Sequence, residues 1–220
     1  MIKFERYNLP DAMLLNKNNK VPAMITWVPD RSMAVIGHGS KMEEELNLDA
    51  IKDQNIPVYK RPTGGCSVVL TPRMLAVSFA VYSEEQMKSK KYLDYFNNVL
   101  LRALQNLDIR GLHPAGISDI AINNKKIIGS ALYRNVHMIF YHAILNISEK
   151  PKTIENFLAT PPRMPGYRQG RPHSEFVTSL ADSGWDLKPE VIEKSIKVEW
   201  HRAIADVSYI SYGATAAHHN

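Results

Sequence analysis

The stretch GISDIAINNKKIIGSALYR, residues 116–134, restricts the fold more than any other part of this chain. It predicts two strands, because residues 119–122 alternate apolar with small or polar side chains and an apolar run resumes after Lys126. Two asparagines separate the strands, and asparagine tolerates the left-handed conformation that a two-residue hairpin turn requires. The small residues at 129–131 would let a ligand approach the backbone closely. The stretch therefore predicts a tight β-hairpin, with Lys126 either solubilising the strand or held there for a purpose.

Hydrophobic periodicity elsewhere predicts an α+β protein whose largely antiparallel or mixed sheet is flanked by helices. Residues 74–82 alternate large apolar with small side chains, which is typical of a half-buried antiparallel strand. Residues 92–107 place apolar side chains at helical spacing on one face, and residues 137–147 form a long apolar strand. Shorter helices are expected at Tyr7–Asn16, Asn47–Gln54, Ile154–Leu158, His173–Leu180 and Pro189–Ala205, with further strands at Ile25–Val28, Met33–Ile36 and Ile56–Tyr59.

Length and composition limit the organisation of the protein and its surroundings. The 220 residues, 45% of them hydrophobic and 22% charged, predict a single domain over residues 1–220 with a mobile tail at 213–220. The single cysteine excludes an internal disulfide and a thiolate zinc cluster. No apolar run is long enough to cross a bilayer, and the N-terminus lacks the apolar centre of a signal peptide. We therefore expect a cytoplasmic protein with no membrane partner.

The net charge of +5 leaves two kinds of partner open. A basic surface suits a nucleic acid, but the sequence has no zinc finger, basic zipper or RNA-recognition signature, so no nucleic-acid partner is predicted. An enzyme that handles ATP, or that docks on an acidic carrier domain, accounts for the charge equally well. The basic residues cluster as Lys88, Lys90 and Lys91 and as Arg163, Arg168 and Arg171.

Two motifs carry a resemblance to a known family. The first is the segment KIIGSA, which begins at Lys126 and is preceded by Asp119. The second is the segment RPTGGC, which begins at Arg61. The two segments resemble the Asp-(apolar)-Lys-Ile-x-Gly-Ser-Ala and Arg-Arg-x-Thr-Gly-Gly-Gly segments of the lipoate–protein ligase, octanoyltransferase and biotin–protein ligase superfamily. They occur in the family's order and at about its spacing. The resemblance extends from Tyr7 to Leu180 and is closest to a compact lipoate–protein ligase.

The resemblance implies a fold, a substrate and a set of site residues. The fold is the antiparallel sheet with surrounding helices that biotin ligases share with class II aminoacyl-tRNA synthetases. Lys126 matches the catalytic lysine that holds the carboxyl or acyl-phosphate end of the acid, and Asp119 is the candidate Mg ligand. ATP, Mg and either lipoate or octanoate are the implied cofactors and substrates, and a lipoyl-carrier protein is the implied acceptor. The implied substrate- and nucleotide-binding residues are Arg61, Thr63, Gly64, Gly65, Cys66, Ser67, Val68, Asp119, Lys126, Gly129, Ser130, Ala131 and His142.

Within the resemblance, the ATP-dependent ligase reaction is favoured over octanoyl transfer. A transferase forms an acyl-enzyme on a cysteine, and the Pro-Cys-Gly segment of one transferase group corresponds here to residues 164–166, Met-Pro-Gly. Cys66 stands where the ligase loop has its third glycine, and we interpret it as a small residue that packs the loop. Adenylate formation needs only charge stabilisation, which Lys126 and Arg61 could supply.

Several departures from the family pattern leave alternatives open. Leu70 and Thr71 stand where the ligase loop continues to a His-Asp pair, and His38 replaces an arginine in an earlier segment. Losing the His-Asp pair is the signature expected of a non-catalytic relative that binds acyl groups or nucleotides. Only about forty residues follow Leu180, so we expect no large accessory domain in this chain, and a separate accessory subunit stays open.

Overall fold

The computed structural model describes residues 2–15, 21–82, 88–161 and 164–216, with side chains described up to residue 205. The strands are β1 (Phe4–Arg6), β2 (Ala23–Trp27), β3 (Met33–Ile36), β4 (Val58–Lys60), β5 (Val68–Leu70), β6 (Met74–Tyr82), β7 (Leu112–Ala115), β8 (Asp119–Ile122), β9 (Lys125–Arg134) and β10 (Met138–Asn146). The α-helices are α1 (Met42–Glu45), α2 (Leu48–Asp53), α3 (Ser89–Gln105), α4 (Pro151–Phe157), α5 (His173–Phe176) and α6 (Pro189–Ala216). Short 3-10 helices occupy Pro10–Leu15, Gly166–Arg168 and Ala181–Ser183.

The larger sheet is antiparallel throughout, in the order β2-β6-β10-β9-β8-β7. Its β8–β9 pair is the predicted hairpin. Asn123 and Asn124 have φ of 49° and 61°, so both adopt the left-handed conformation that the turn requires. The second strand of the hairpin is longer than the sequence predicts, because residues 128–134 pair with β10.

The smaller sheet is mixed, in the order β1-β4-β3-β5. β4 pairs in parallel with β1 and β3, while β5 runs antiparallel to β3. The loop between β4 and β5 contains the glycine-rich segment at residues 61–67. This arrangement confirms the predicted fold class, an α+β protein with antiparallel and mixed sheets flanked by helices.

The main core lies between one face of the larger sheet and helices α3 and α6. Phe79 stacks on Trp200 with ring centroids 4.6 Å apart, and Phe96 of α3 packs against both rings. The alternation along β6 sends Phe79 into this core, while the small side chains at 76, 78 and 80 point to the opposite face. Aromatic burial therefore stabilises one face of the sheet and leaves room on the other.

Several predicted segments differ from the structure in extent. The helix predicted at 7–16 is a 3-10 helix at Pro10–Leu15, and Asn16 lies outside the described residues. The helix predicted at 173–180 ends at Phe176, because Val177 forms a parallel bridge with Lys126. The final helix runs to Ala216 rather than 205. Residues 213–216 of the predicted mobile tail are thus helical, and 217–220 lie outside the described residues.

Candidate active site

A cavity of about 460 Å³ lies between the free face of the larger sheet and the smaller sheet. This volume is within the range of small-molecule sites. One part of the lining is apolar and includes Trp27, Val35, Leu70, Met74 and Ile144. The predicted residues that line the cavity are Arg61, Gly65, Cys66, Ser67, Val68, Asp119, Lys126, Gly129, Ser130, Ala131 and His142. Thr63 and Gly64 are not among the lining residues.

Lys126 is held inside the cavity by the hairpin that carries it. Its Nζ lies 2.8 Å from Oδ1 of Asp119, which is buried on β8. A β-bulge shifts the register, so that Asp119 pairs with Gly129 and Ala121 with Lys126. A Cβ on Gly129 would lie 2.6 Å from Cε and 2.7 Å from Nζ of the lysine. Gly129 therefore leaves space for the Lys126 side chain. Because it has a hydrogen in place of a side chain, the lysine can reach Asp119.

Asp119 accepts a second hydrogen bond that the sequence does not predict. Its Oδ2 lies 2.8 Å from the hydroxyl of Tyr167, which donates. Burial, together with the negative charge of Asp119, raises the pKa of Tyr167 above its ordinary value, so the phenol stays protonated. Both oxygens of Asp119 are thus engaged, one by an ammonium and one by a hydroxyl. The described residues contain no group of three acidic, histidine or cysteine side chains that could hold a metal ion, but Mg in nucleotide sites is commonly bound by one or two carboxylates together with phosphates and waters, so Asp119 as the Mg ligand stays a prediction.

The buried guanidinium of Arg61 holds the glycine-rich loop in place. It donates to the carbonyl of Gly64 at 2.9 Å, of Cys66 at 2.8 Å and of Val35 at 3.1 Å. Backbone oxygens occupy those donors, so Arg61 orders the loop, and its action on reacting charge stays a prediction. The same loop is held from its other side by Glu45, which accepts from the backbone N–H of Ser67.

Gly37 is a site residue that the sequence reasoning missed. A Cβ at this position would lie 2.0 Å from the carbonyl oxygen of Gly65. The oxygen belongs to the backbone and cannot swing aside, so only glycine allows β3 to approach the loop this closely. Gly39, two residues later, would meet nothing within 4 Å. The neighbouring His38 is exposed, and its backbone N–H donates to the carbonyl of Thr63.

His142 lies on β10 with a hydrogen bond to Thr63. Its Nε2 is 3.3 Å from the Thr63 hydroxyl. Burial, and then the positive charge of Arg61, lower the pKa of His142 to about 3. The imidazole is therefore neutral at pH 7. It is hydrogen-bonded to Thr63 behind the cavity lining and carries no charge for a substrate anion.

A buried carboxylate at the same wall gave no sequence signal. Asp11 is 3% exposed and accepts from the hydroxyls of Tyr7 at 2.8 Å and Ser78 at 2.9 Å. Burial raises the pKa of Asp11, although both hydroxyls favour its charged form. Ser78 pairs with His142 across neighbouring strands, so these polar groups share one region of the cavity.

Cys66 does not have the packing role that the sequence predicts. The residue is exposed and lies on the cavity lining, and its contact with Arg61 is made by its backbone carbonyl. Pro165, in the segment that corresponds to the transferase cysteine, lines the cavity too. The cavity thus contains one thiol at a position other than the family's.

Arg168 and Arg171 are not the exposed docking patch that their clustering suggests. Arg168 is 2% exposed, lines the cavity and stacks 5.0 Å from the ring of Phe176. Arg171 donates to the carbonyls of Asn124 and Tyr167, which fastens this segment to the hairpin turn. The third member, Arg163, lies outside the described residues. Sequence clustering gave no signal that a tertiary contact buries these side chains.

Leu70 stands where the resemblance places the histidine of the family His-Asp pair, and it contributes an apolar side chain to the cavity wall. It is 2% exposed on β5 and lines the cavity, whereas Thr71 accepts a hydrogen bond from the backbone of Arg73.

No helix in the described part of the chain is long and apolar enough to cross a membrane.

Comparison of the sequence with known proteins gives one family. The model of the lipoyl protein ligase A/B catalytic domain matches residues 4–200. Lipoate–protein ligase 1 of Staphylococcus aureus is 26% identical over 133 residues, 60% of this chain and 40% of that protein. Octanoyltransferase LipM of Clostridioides difficile is 27% identical over 137 residues, 53% of this chain and 50% of that protein. The chain spans half or less of the length of the curated relatives it matches.

Solved structures share the fold at low identity. A lipoate–protein ligase A bound with ATP has a TM-score of 0.76 at 18% identity, covering 93% of this chain and 84% of the other. A Thermoplasma acidophilum protein with bound lipoic acid has a TM-score of 0.75 at 17% identity, covering 88% and 78%. A bipartite lipoate protein ligase from T. acidophilum, studied with its E2 lipoyl domain, has a TM-score of 0.75 at 18% identity, covering 88% and 76%. With the family model matching residues 4–200, the chain belongs to the lipoyl protein ligase A/B catalytic domain family.

Proposed function

We propose that this protein is an ATP-dependent lipoate–protein ligase. The observation that carries the proposal is the position of Lys126, whose ammonium lies inside a cavity with an apolar part that suits the chain of lipoate or octanoate. Relatives of this fold with bound lipoic acid or bound ATP support both substrates. In this reaction a carboxylate oxygen of the acid attacks the α-phosphorus of ATP, and pyrophosphate leaves.

Lys126 would act on the negative charge at the head of the acid. Its ammonium is paired with Asp119, whose other oxygen is held by Tyr167, so the position of the charge is set before a ligand arrives. Removing one such preorganised donor commonly lowers a rate by about a hundred- to a thousandfold. Arg61 would act at least in part indirectly, since it holds the backbone of the glycine loop, which on this proposal would face the nucleotide.

In the second half-reaction the amine of an acceptor lysine attacks the acyl carbon, an amide forms and AMP leaves with its phosphate. We propose a lipoyl-carrier protein as the acceptor. The E2 lipoyl domain studied with the bipartite T. acidophilum ligase supports that class of partner, and its bipartite construction keeps a separate accessory subunit open for this chain.

The test is acid-dependent release of pyrophosphate from ATP, measured with octanoate and with lipoate. Lys126→Ala is expected to lower this rate by at least about a hundredfold. Lys125→Ala is the matched control, since Lys125 is exposed whereas Lys126 lines the cavity. Wild-type protein that binds the acid but releases no pyrophosphate would instead be a non-catalytic relative, and sensitivity at Lys125 alone would contradict the assigned register.

One observation favours a second candidate, octanoyl transfer through Cys66. Its thiol is exposed at the cavity, as an acyl-enzyme nucleophile would have to be. The ligase proposal expects Cys66→Ser to retain most of the ATP-dependent activity. A loss of several hundredfold, with an acyl-cysteine detected by mass spectrometry in the wild type after incubation with octanoyl acyl carrier protein, would establish the transferase instead.

A further inference from the structure

Arg168 carries a buried positive charge that the lysine mechanism does not use. The residue is 2% exposed, and no carboxylate within 4 Å pairs with it in the described part of the chain. Its Nη2 is buried without a hydrogen-bond partner among the described residues. A buried guanidinium normally pairs with an anion or donates to acceptors, since leaving it unsatisfied costs free energy. The unused donor therefore indicates a ligand.

The rest of the side chain is held rigidly. Nε of Arg168 donates to the carbonyl of Arg171 at 2.8 Å, and Nε of Arg171 donates back to the carbonyl of Arg168 at 3.0 Å. Both guanidinium groups lie over the ring of Phe176, at 5.0 Å and 5.4 Å. Arg171 also reaches Asn124 in the hairpin turn. The segment and the hairpin thus set the direction of Arg168 relative to Lys126.

The surroundings place this charge at the polar end of the cavity. Burial first, and then the positive charges of Arg168 and Lys126, lower the pKa of His173, to about 4, while Glu155 acts in the opposite direction. Ser67, in the glycine loop, is 8% exposed and has a hydroxyl without a partner among the described residues. Arg168, Ser67 and Lys126 all line the cavity. Two residues with a donor that lacks a partner among the described residues, and one ammonium, therefore belong to the lining of the same cavity.

We propose that the guanidinium of Arg168 binds anionic oxygen at the polar end of the cavity. The oxygen comes from the carboxylate of the acid or from a phosphate of the nucleotide, and a planar guanidinium suits both. Lys126 is already partly neutralised by Asp119, so Arg168 supplies the second positive charge that a doubly charged junction of carboxylate and phosphate requires. This inference rests on the proposed function for the identity of the two anions, but not for the presence of an anion site.

Binding by calorimetry tests the inference without requiring turnover. Octanoate is compared with octanamide, and AMP with adenosine, so that each pair differs in its negative charge. Arg168→Met is expected to weaken the binding of octanoate, of AMP or of both by about 10- to 100-fold, while the affinities for the neutral analogues change less than about threefold. The anion whose affinity falls is the source of the oxygen that Arg168 binds. Arg31→Met is the control, since Arg31 is exposed.

Arg168→Lys serves where the methionine variant does not fold, because it keeps the charge but loses the planar donor pair. Arg168→Lys is expected to weaken the binding of the same anion by about 5-fold or more. Unchanged anion affinity in a folded variant, or an equal loss for anions and neutral analogues, overturns the inference. Arg168-dependent binding of octanoate without pyrophosphate release from ATP would refute the proposed ligase function alone. A wild-type protein that binds neither anion refutes both.

Discussion

Gly129→Ala tests directly whether the position of Lys126 controls the activity. The added Cβ would lie 2.7 Å from Nζ of Lys126, and ordinary contact begins at 3.4 Å, so the ammonium must retreat by at least about 0.7 Å. The retreat disturbs the 2.8 Å contact with Asp119. A misplacement of about 1 Å at a reacting centre can lower a rate by about a hundredfold. We expect a loss of that size in acid-dependent pyrophosphate release.

The same substitution should leave the fold intact. The atoms that the methyl group meets belong to the flexible end of a side chain, which can move without disturbing the backbone. Alanine in a strand is moreover favoured over glycine by roughly 0.5–1 kcal/mol, because the unfolded chain loses less freedom. The free energy of unfolding in urea is therefore expected to change by no more than about 1 kcal/mol.

A double-mutant cycle decides whether the methyl group acts through the lysine. Octanoate affinity and pyrophosphate release are measured for Gly129→Ala, for Lys126→Ala and for the combination. If the methyl group only displaces the ammonium, Gly129→Ala has no further effect once Lys126 is alanine. An additional loss in the double variant would show that the methyl group excludes the ligand itself, and the assignment of Gly129 as space for Lys126 would be refuted.

Two further predictions concern the loop and the pH dependence of stability. In Gly37→Ala the added Cβ would lie 2.0 Å from the Gly65 carbonyl oxygen, so this variant should displace the glycine loop and lower kcat/KM for ATP at least about tenfold. Gly39→Ala is the control, because its Cβ would meet nothing within 4 Å and its kinetics should match the wild type. Equal kinetics for the two variants would contradict the assigned contact. Since the pKa of His142 is about 3 when folded and near 6.5 when unfolded, the unfolded state binds more protons between these values, and the free energy of unfolding should decrease by up to about 1.4 kcal/mol for each unit by which the pH is lowered within that window. His142→Gln should reduce this slope between pH 6.5 and 5 in urea unfolding, and a slope unchanged from that of the exposed control His137→Gln would refute the pKa assignment.

The hairpin and its lysine could be predicted from the sequence because their signals are local. Asn123 and Asn124 specify the turn by their own backbone preferences, and the family motif marks Lys126 rather than Lys125 as the residue inside the site. The reason that Lys126 reaches Asp119 could not be predicted. It depends on a bulge in the β8–β9 register and on the missing side chain of Gly129, both of which are properties of paired strands.

The roles of the arginines could not be predicted, because they depend on distant backbone atoms. Arg61 donates to the carbonyl of Val35, which lies 26 residues earlier in the chain. Arg168 is buried because Phe176 stacks on it and Arg171 fastens its segment to the hairpin. The sequence interpretation of Arg61 as a substrate contact rests on the family motif and its charge, and that of Arg168 as part of a docking surface rests on charge clustering. Charge in a sequence does not reveal whether a guanidinium finds a carbonyl, a ring or a ligand.

The size of alternating side chains on β6 explains why this sheet has a core on one face and a cavity on the other. Large apolar residues such as Phe79 and Tyr141 fill the helix-covered face, whereas Ala76 and Ser78 line the cavity on the opposite one. Small residues cannot fill the space that remains when a second sheet packs against that face. The space persists because polar groups line part of it, as the burial of Asp11 between two hydroxyls illustrates. A sequence shows this pattern of sizes, but only the packing of the two sheets determines that the small side becomes a binding site.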